Sequence, residues 1–190
     1  DESDGSFIKV PPTYSIITNV DREHMDYYKS MDKLRGLFKD FIERVPSFGK
    51  SFICIDNKNN IKIIKKIKIK NFYTYGVNPK SQFHITNINQ LRNFSEFNLN
   101  IKLPGKKNIK IKNIKIPLLG LHNIRNATAA IAVTLTIGIS KEIIKLGLKE
   151  FKGVQRRFNK IFTYREVEFF DDYAHHPTEI KEVLNGVKEA

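Results

Sequence analysis

The chain has 190 residues, 41% of them hydrophobic and 14 of them Phe, enough for one large domain, or one domain and part of another, around a real core. Its net charge of +13 comes from Lys interleaved with Ile and Asn, as in IKIIKKIKIK (61–70) and IKLPGKKNIKIKNIKI (101–116), a bias that an AT-rich genome produces without any binding partner. There is no RNP-like aromatic motif, zinc-finger spacing or helix-turn-helix, and no apolar run approaches about 18 residues, so neither nucleic-acid binding nor membrane insertion is expected.

The single cysteine, Cys54, lies in the apolar run SFICI, permits no internal disulfide and fits a reducing, cytoplasmic setting. The acidic start DESDGSF lacks the basic-then-apolar plan of a signal peptide. It also lacks an initiator Met, which reads as a chain that starts inside a longer protein.

YSIITNV (14–20) is apolar and β-branched, as a buried strand is, and runs into the polar cluster DREHMD (21–26). Residues 30–44 place Met31, Leu34, Leu37, Phe38, Phe41 and Ile42 at helical spacing, with Ser30 as cap and Pro46 as stop. SFICID (51–56) predicts another buried strand, and Asp56-Asn57 opens a turn. Between 61 and 69, Ile61, Ile63, Ile67 and Ile69 alternate with lysines, which predicts a half-solvated strand. Phe72–Val77 and Gln82–Ile88 are further strands parted by Asn78-Pro79. In 109–116 the apolar face switches from odd to even positions at Asn113, the mark of a bulge or turn. The lysines of these stretches are the wet face of an antiparallel sheet.

LLGLHNIRNATAAIAVTLTIGIS (118–140) predicts a long Ala-rich helix that a Gly-flanked turn opens and Gly138 stops. Its start carries His122, Asn123 and Asn126, where free N–H groups and the positive end of the helix dipole favour a phosphate-bearing ligand. Ser140 caps a second helix, 141–151, and Gly153 leads into VQRRF. EVEFFDDY (166–173) is a strand ending in two carboxylates, followed by AHHP and a helix from about Thr178 with Ile180, Val183, Leu184 and Val187 as its stripe. A strand, a polar loop and a helix start is how a doubly wound domain opens, with ligands at the carboxyl ends of its strands.

Four side chains of ligand type crowd DREHMD, and Mg²⁺ needs only one or two protein ligands beside phosphate oxygens. Arg156 and Arg157 offer planar forks that match phosphate, and Asp171 and Asp172 stand where ribose hydroxyls are accepted. Asp172, His175 and His176 equally suggest a metal, although nothing else completes a coordination set.

The order DESDGSF, TNVDREHMDYY, GLHNIRNATAA, GVQRRF and DDYAHHPTEI resembles the Mur ligases of peptidoglycan synthesis, over residues 1 to about 185. HN-x-x-N-A is shared across the superfamily, folylpolyglutamate synthetases included, whereas DDYAHHPTEI and DESDGSF favour the alanine-adding branch. The resemblance implies an α/β fold: residues 1–156 as the C-terminal part of a P-loop-type ATPase domain with a small accessory β-sheet, and 157–190 as the start of a Rossmann-like C-terminal domain. It implies an ATP- and Mg²⁺-dependent ligase that activates the carboxylate of UDP-N-acetylmuramic acid as an acyl phosphate and joins L-alanine to it. By position, His24 is then a Mg²⁺ ligand; His122, Asn123 and Asn126 contact ATP; Arg157 reaches its phosphates; Asp172 holds the ribose; and Tyr173 and His175 face the amino acid and the reacting carboxylate.

The G-K-[ST] phosphate loop of the family is absent from the sequence, so the chain is read as an internal fragment without ligase activity of its own. The alternatives are a recycling ligase that adds a preformed murein tripeptide and, in another class, a non-enzymatic basic nucleic-acid-binding module.

Overall fold

The computed structural model describes residues 2–68, 71–91 and 93–188. A short 3₁₀ turn, Ser6–Lys9, precedes β1 (Tyr14–Ile17), α1 (Met25–Tyr28), α2 (Met31–Glu43), β2 (Lys50–Cys54), α3 (Lys58–Ile64) and β3 (Phe72–Gly76). Then come β4 (Phe83–Leu91), β5 (Phe94–Ile101), β6 (Ile109–Ile116), α4 (Leu121–Thr136), α5 (Lys141–Glu150), β7 (Asn159–Tyr164), β8 (Val167–Asp171) and α6 (Pro177–Lys188).

Strands β1 to β6 form one sheet in chain order, β1 to β4 parallel and β4 to β6 antiparallel. The first two parallel neighbours are joined through α2 and α3, as crossovers between parallel strands require. Residues 77–82 join β3 to β4 without a helix, which is possible because the two strands pair only at Tyr75↔Phe83 and Gly76↔His84. The antiparallel meander expected as an accessory sheet is thus an extension of the main sheet.

The core lies on both faces of the parallel half. In β2, buried on nearly every residue, Phe52 and Cys54 pack with Tyr75, Ile124 and Ile131 beneath α4, while Ile53 packs with Leu34, Phe38, Ile42 and Ile63 of α2 and α3. Strand β1 departs from its expected full burial: Ser15 and Ile17 are buried, but Tyr14 and Ile16 are exposed. Helix α4 lies on the sheet through Ile124, Ala127, Thr128, Ile131 and Ala132, a stripe of largely small residues at helical spacing. The expected caps hold: Ser30 Oγ accepts from Lys33 N, Ser140 Oγ from Ile143 N, and Gly138 leaves α4 with a positive φ.

The segment read as an alternating strand, 61–69, is α3 followed by a turn, with Ile69 outside the described residues. Its sequence fits both periods, and two local interactions decide for helix. Asn57 Oδ1 accepts from Asn59 N and Asn60 N as a cap, while Asn60 and Ile63, three apart, are both buried on the inner side of α3, Ile63 in the core under α2. Buried Asn60 donates to Thr18 O and Cys54 O, tying α3 to the ends of β1 and β2.

The face switch at Asn113 is a bulge, with Asn113 at positive φ opposite the register shift between Phe97 and Leu99. A second shift, at Thr86/Asn89, accompanies a positive φ at Asn87. Strands β5 and β7 were not anticipated. β5 buries Ser95, Phe97, Leu99 and Ile101 in strict alternation, and β7 pairs with β8 as a separate two-stranded hairpin through Arg165 and Glu166, both at positive φ.

Candidate functional site

Strands β1, β2 and β3 run parallel and present their carboxyl ends to one side, where open α/β sheets bind ligands. Thr18, Asn19, Asp21 and Glu23 follow β1, Asp56 and Asn57 follow β2, and all line a cleft of about 840 Å³. The start of α4 contributes His122, Asn123, Arg125 and Asn126 to the same cleft, and the stretch from α5 into α6 contributes Phe151, Val154, Arg157, Asp172 and His176. Leu118, Ala130, Leu148, Phe151 and Val154 make an apolar wall, suited to a planar base; the strand ends make a polar, acidic one.

Gly120 sets the start of α4. Its φ of 88° admits glycine readily, and a Cβ there would lie 2.7 Å from His122 Cε1. The imidazole thus folds back over the helix start, where His122 Nδ1 is buried and has no hydrogen-bond partner among the described residues. Burial holds its pKa below the ordinary 6.5, with the carboxylates of Glu182 and Asp172 pulling weakly the other way. Asn123 donates from Nδ2 to Leu119 O at 2.7 Å, and Asn126 stays exposed in the cleft.

From the opposite wall, Asp172 accepts from Phe158 N (2.8 Å) and Ala174 N (2.7 Å), which fixes the loop that carries it. Each of its oxygens keeps a second lone-pair direction for a ligand donor.

Of the residues picked out by sequence, His122, Asn123, Asn126, Arg157 and Asp172 converge in the cleft. His24, Tyr173 and His175 do not line it. His24 is exposed at the start of α1, in a left-handed conformation. Tyr173 lies under the Arg156 guanidinium at 4.7 Å, and His175 Nδ1 is 3.0 Å from Tyr173 O. His176 faces the cleft, 3.3 Å from Glu23 Oε1, and so links the loop after β1 to the segment before α6.

Two residues were not picked out as site residues by sequence: Asp56, read only as the opening of a turn, and Arg125, paired at 2.7 Å. The available signal was the position of Asp56, immediately past a buried strand. The only thiol, Cys54, is pushed up to about 11 by burial and is inert.

Among the described residues, no three His, Cys, Asp or Glu side chains are grouped to hold a metal. Glu2, Asp21 and Glu23 do line the cleft together, and burial followed by the Glu23 charge raises the pKa of Glu2. Carboxylates that repel one another in this way suit a hard cation that takes its remaining ligands from phosphate. Among the described residues, no helix is long and apolar enough to cross a membrane.

A family model described as the Mur ligase middle domain matches residues 1–134. The UDP-N-acetylmuramate–L-alanine ligase of Pelagibacter ubique (strain HTCC1062) is 70% identical over 190 residues, which are all of this chain and 41% of that protein. The chain thus spans about 41% of the length of this curated relative. Among solved structures, UDP-N-acetylmuramate-alanine ligase MurC from Thermotoga maritima matches with a TM-score of 0.77 and 28% identity, over all of this chain and 41% of that one. MurF from Acinetobacter baumannii matches with a TM-score of 0.80 and 23% identity, over 99% of this chain and 40% of that one, a likeness of fold.

Proposed function

The chain belongs to the Mur ligase family, and on that premise we propose that the full-length gene product joins L-alanine to the carboxylate of UDP-N-acetylmuramic acid at the expense of ATP, in the cytoplasm. One observation carries the proposal. Three segments far apart in sequence, 21–23, 122–126 and 157–176, bring strand-end carboxylates, a helix start with two Asn, an Arg and a ribose-type Asp into one cleft. That is the equipment for a nucleoside triphosphate with its cation. The Pelagibacter relative, alike over the whole chain, supports the alanine-adding branch over the recycling one.

ATP would supply the phosphoryl group that turns the substrate carboxylate into an acyl phosphate, with ADP as leaving group, and attack by the amine of L-alanine would then form the amide, expel inorganic phosphate and release the amine's proton. The residues of this chain bind and orient. The apolar wall of Leu118, Leu148, Phe151 and Val154 takes the base, with Asn126 at its edge, and Asp172, held by two backbone N–H groups, accepts the ribose hydroxyls. Arg157 meets phosphate oxygens, and Mg²⁺ would take one or two ligands from the carboxylates of Glu2, Asp21 and Glu23 and the rest from phosphate and water, with His24 close to Glu2 as a further candidate ligand. Tyr173 and His175, outside the cleft, meet the amino acid only if the loop between β8 and α6 moves on binding. Residues 157–190 are the opening of the second domain; the separate β7–β8 hairpin supports that boundary.

The test is ADP release by the full-length gene product with UDP-N-acetylmuramic acid and, separately, L-alanine, glycine, L-serine or a murein tripeptide. Release that needs the muramyl nucleotide and prefers L-alanine, with a loss of at least about 100-fold for Asp172→Ala, is the expected result. Preference for the tripeptide moves the protein to the recycling branch, and salt-sensitive nucleic-acid binding without nucleotide turnover overturns the enzyme reading.

A further inference from the structure

We propose that Arg125 is a further ligand-contacting residue of the cleft: a guanidinium that Asp56 fixes by one edge and that takes a phosphate oxygen of the bound nucleotide on the other. This deepens the nucleotide reading above and rests on it.

Sequence places Arg125 between the two Asn of HNIRN, three residues after His122 and one before Asn126. On a helix, positions 122, 125 and 126 share a face, and all three line the cleft. The Arg125 side chain crosses to the sheet, where Nε donates to Asp56 Oδ2 at 2.7 Å. Asp56 does not need Arg125 to be satisfied. Its Oδ2 also accepts from Val77 N at 3.0 Å and its Oδ1 from Asn78 N at 2.9 Å, and its side chain is only 8% exposed. A dedicated space receives it, since a Cβ on Gly76 would sit 2.5 Å from Asp56 Oδ1. The carboxylate is therefore a rigid anchor built by the β3–β4 connection.

The guanidinium it anchors is incompletely used. Arg carries five N–H donors in a planar fork, and only Nε has a hydrogen bond among the described residues. The side chain is 26% exposed, so its terminal nitrogens sit in a partly desolvated place without protein acceptors. In a pair buried to this degree, desolvation offsets much of the Coulombic attraction, so the contact is weak evidence of a purely structural role. An anion arriving at the fork reverses that balance, because bidentate Arg–phosphate contacts are strong and directional.

The charge of the cleft points the same way. Among the described residues, seven carboxylates line it, those of Glu2, Asp21, Glu23, Asp56, Asp172, Glu179 and Glu182, against two guanidinium groups, Arg125 and Arg157, and no Lys. In a chain with 33 Lys and Arg, none of the described lysines lines this cleft. A polyphosphate entering it needs both arginines. Arg157 comes from the segment before β7 and Arg125 from α4, so the two approach from different elements. Asp56 is then a positioning residue that acts through Arg125.

The experiment measures equilibrium affinities of the full-length gene product for adenosine, AMP, ADP and a non-hydrolysable ATP analogue. The variants are Arg125→Gln, Arg125→Lys and Asp56→Asn, with fold checked by circular dichroism and melting. Arg125→Gln is expected to weaken the ATP analogue and ADP at least tenfold and adenosine less than twofold. Arg125→Lys, which keeps the charge and can keep the pairing with Asp56, is expected to fall between Gln and wild type, as is Asp56→Asn. A purely structural role moves all four ligands by the same factor, and that result overturns the proposal, as do unchanged affinities. Should Arg125→Gln fail to fold, Arg125→Lys decides by the same comparison of adenosine with the phosphorylated ligands. A wild type that binds none of the four ligands overturns the nucleotide reading and this proposal together; a wild type that binds them beside insensitive Arg125 variants overturns this proposal alone.

Discussion

The six-stranded sheet with α2 to α5 and the C-terminal piece made of β7, β8 and α6 are built on opposite terms. In the sheet, Phe52, Phe83, Phe97, Leu99 and Ile114 are sealed between the layers. In the C-terminal piece, Ile161, Phe162, Phe169, Ile180 and Leu184 are all more than 40% exposed, and α6 buries only Gly186 among its described residues. Yet Asp172 and His176 belong to the second region, and His122, Arg125 and Asn126 to the first. The cleft is therefore half scaffold and half appendage. A site assembled in this way can be damaged without unfolding the protein, and the protein can be unfolded by residues that never meet a ligand.

The largest effect should come from the scaffold. Phe97→Ala, in β5, removes a fully buried ring and is expected to cost about 3–5 kcal/mol, whereas Phe162→Ala, 51% exposed in β7, is expected to cost less than about 1 kcal/mol. Urea unfolding of both variants measures the contrast; equal costs would mean that the hairpin belongs to the same cooperative core.

Next in size is the seam. A Cβ on Gly186 would lie 2.9 Å from Gly120 Cα and 3.2 Å from Gly120 N, both backbone atoms that cannot swing aside. Gly186→Ala should push α6 away from the start of α4. Because Ala favours a helix over Gly by about 1 kcal/mol, the urea midpoint should hardly move. Nucleotide affinity should fall several-fold, since Asp172 and His122 approach across this contact. A lowered midpoint with unchanged affinity would place the strain in the scaffold instead.

A smaller effect is expected at Glu23 and His176, 3.3 Å apart and each about one-third exposed or less. Pairs of this exposure contribute between about 0 and 1 kcal/mol, so Glu23→Gln should leave stability within that range and act mainly on cation-dependent nucleotide binding. Melting with and without nucleotide and Mg²⁺ separates the two.

What sequence disclosed follows from the range of the interactions concerned. The caps at Ser30 and Ser140, the stop at Gly138 and the bulge at Asn113 are local, and each was legible from a few neighbouring residues. Residues 61–67 were misread because Ile61, Ile63 and Ile67 satisfy the strand period while Ile63, Ile64 and Ile67 satisfy the helical one. The cap at Asn57 and the floor of α2 settle it, and the second of these is tertiary. β5 was overlooked although Phe97, Leu99 and Ile101 alternate with Asn98 and Asn100, because Asn is a poor strand former and the first buried position of the strand is the polar Ser95. At the site, residue types and their order were enough to gather His122, Asn126, Arg157 and Asp172. The Asp56–Arg125 pair, separated by 69 residues, was invisible until β2 and α4 were placed side by side. Whether His175 or His176 faces the cleft depends on one bend before α6, which composition does not encode.

The smallest predicted effect is a pH dependence at the seam. An unburied imidazole ionises near 6.5, and burial keeps that of His122 lower in the folded chain. Above pH 6.5 both folded and unfolded states hold it neutral, and it adds no slope. As pH falls below 6.5, the unfolded chain takes up a proton that the folded chain refuses, so stability is lost until the folded pKa is passed. Glu2 works against this. Its pKa is raised above 4.5 in the folded chain, so acidification toward 4.5 protonates the folded state first and stabilises it. The two contributions overlap, and a single melting curve against pH would hide both. The difference between wild type and His122→Gln removes the Glu2 part, which both proteins share. Between pH 7.5 and 5.5 the variant should lose about 2 °C less in Tm than the wild type. An identical loss in both would mean that the imidazole is solvated in solution and that α6 does not stay closed over the start of α4.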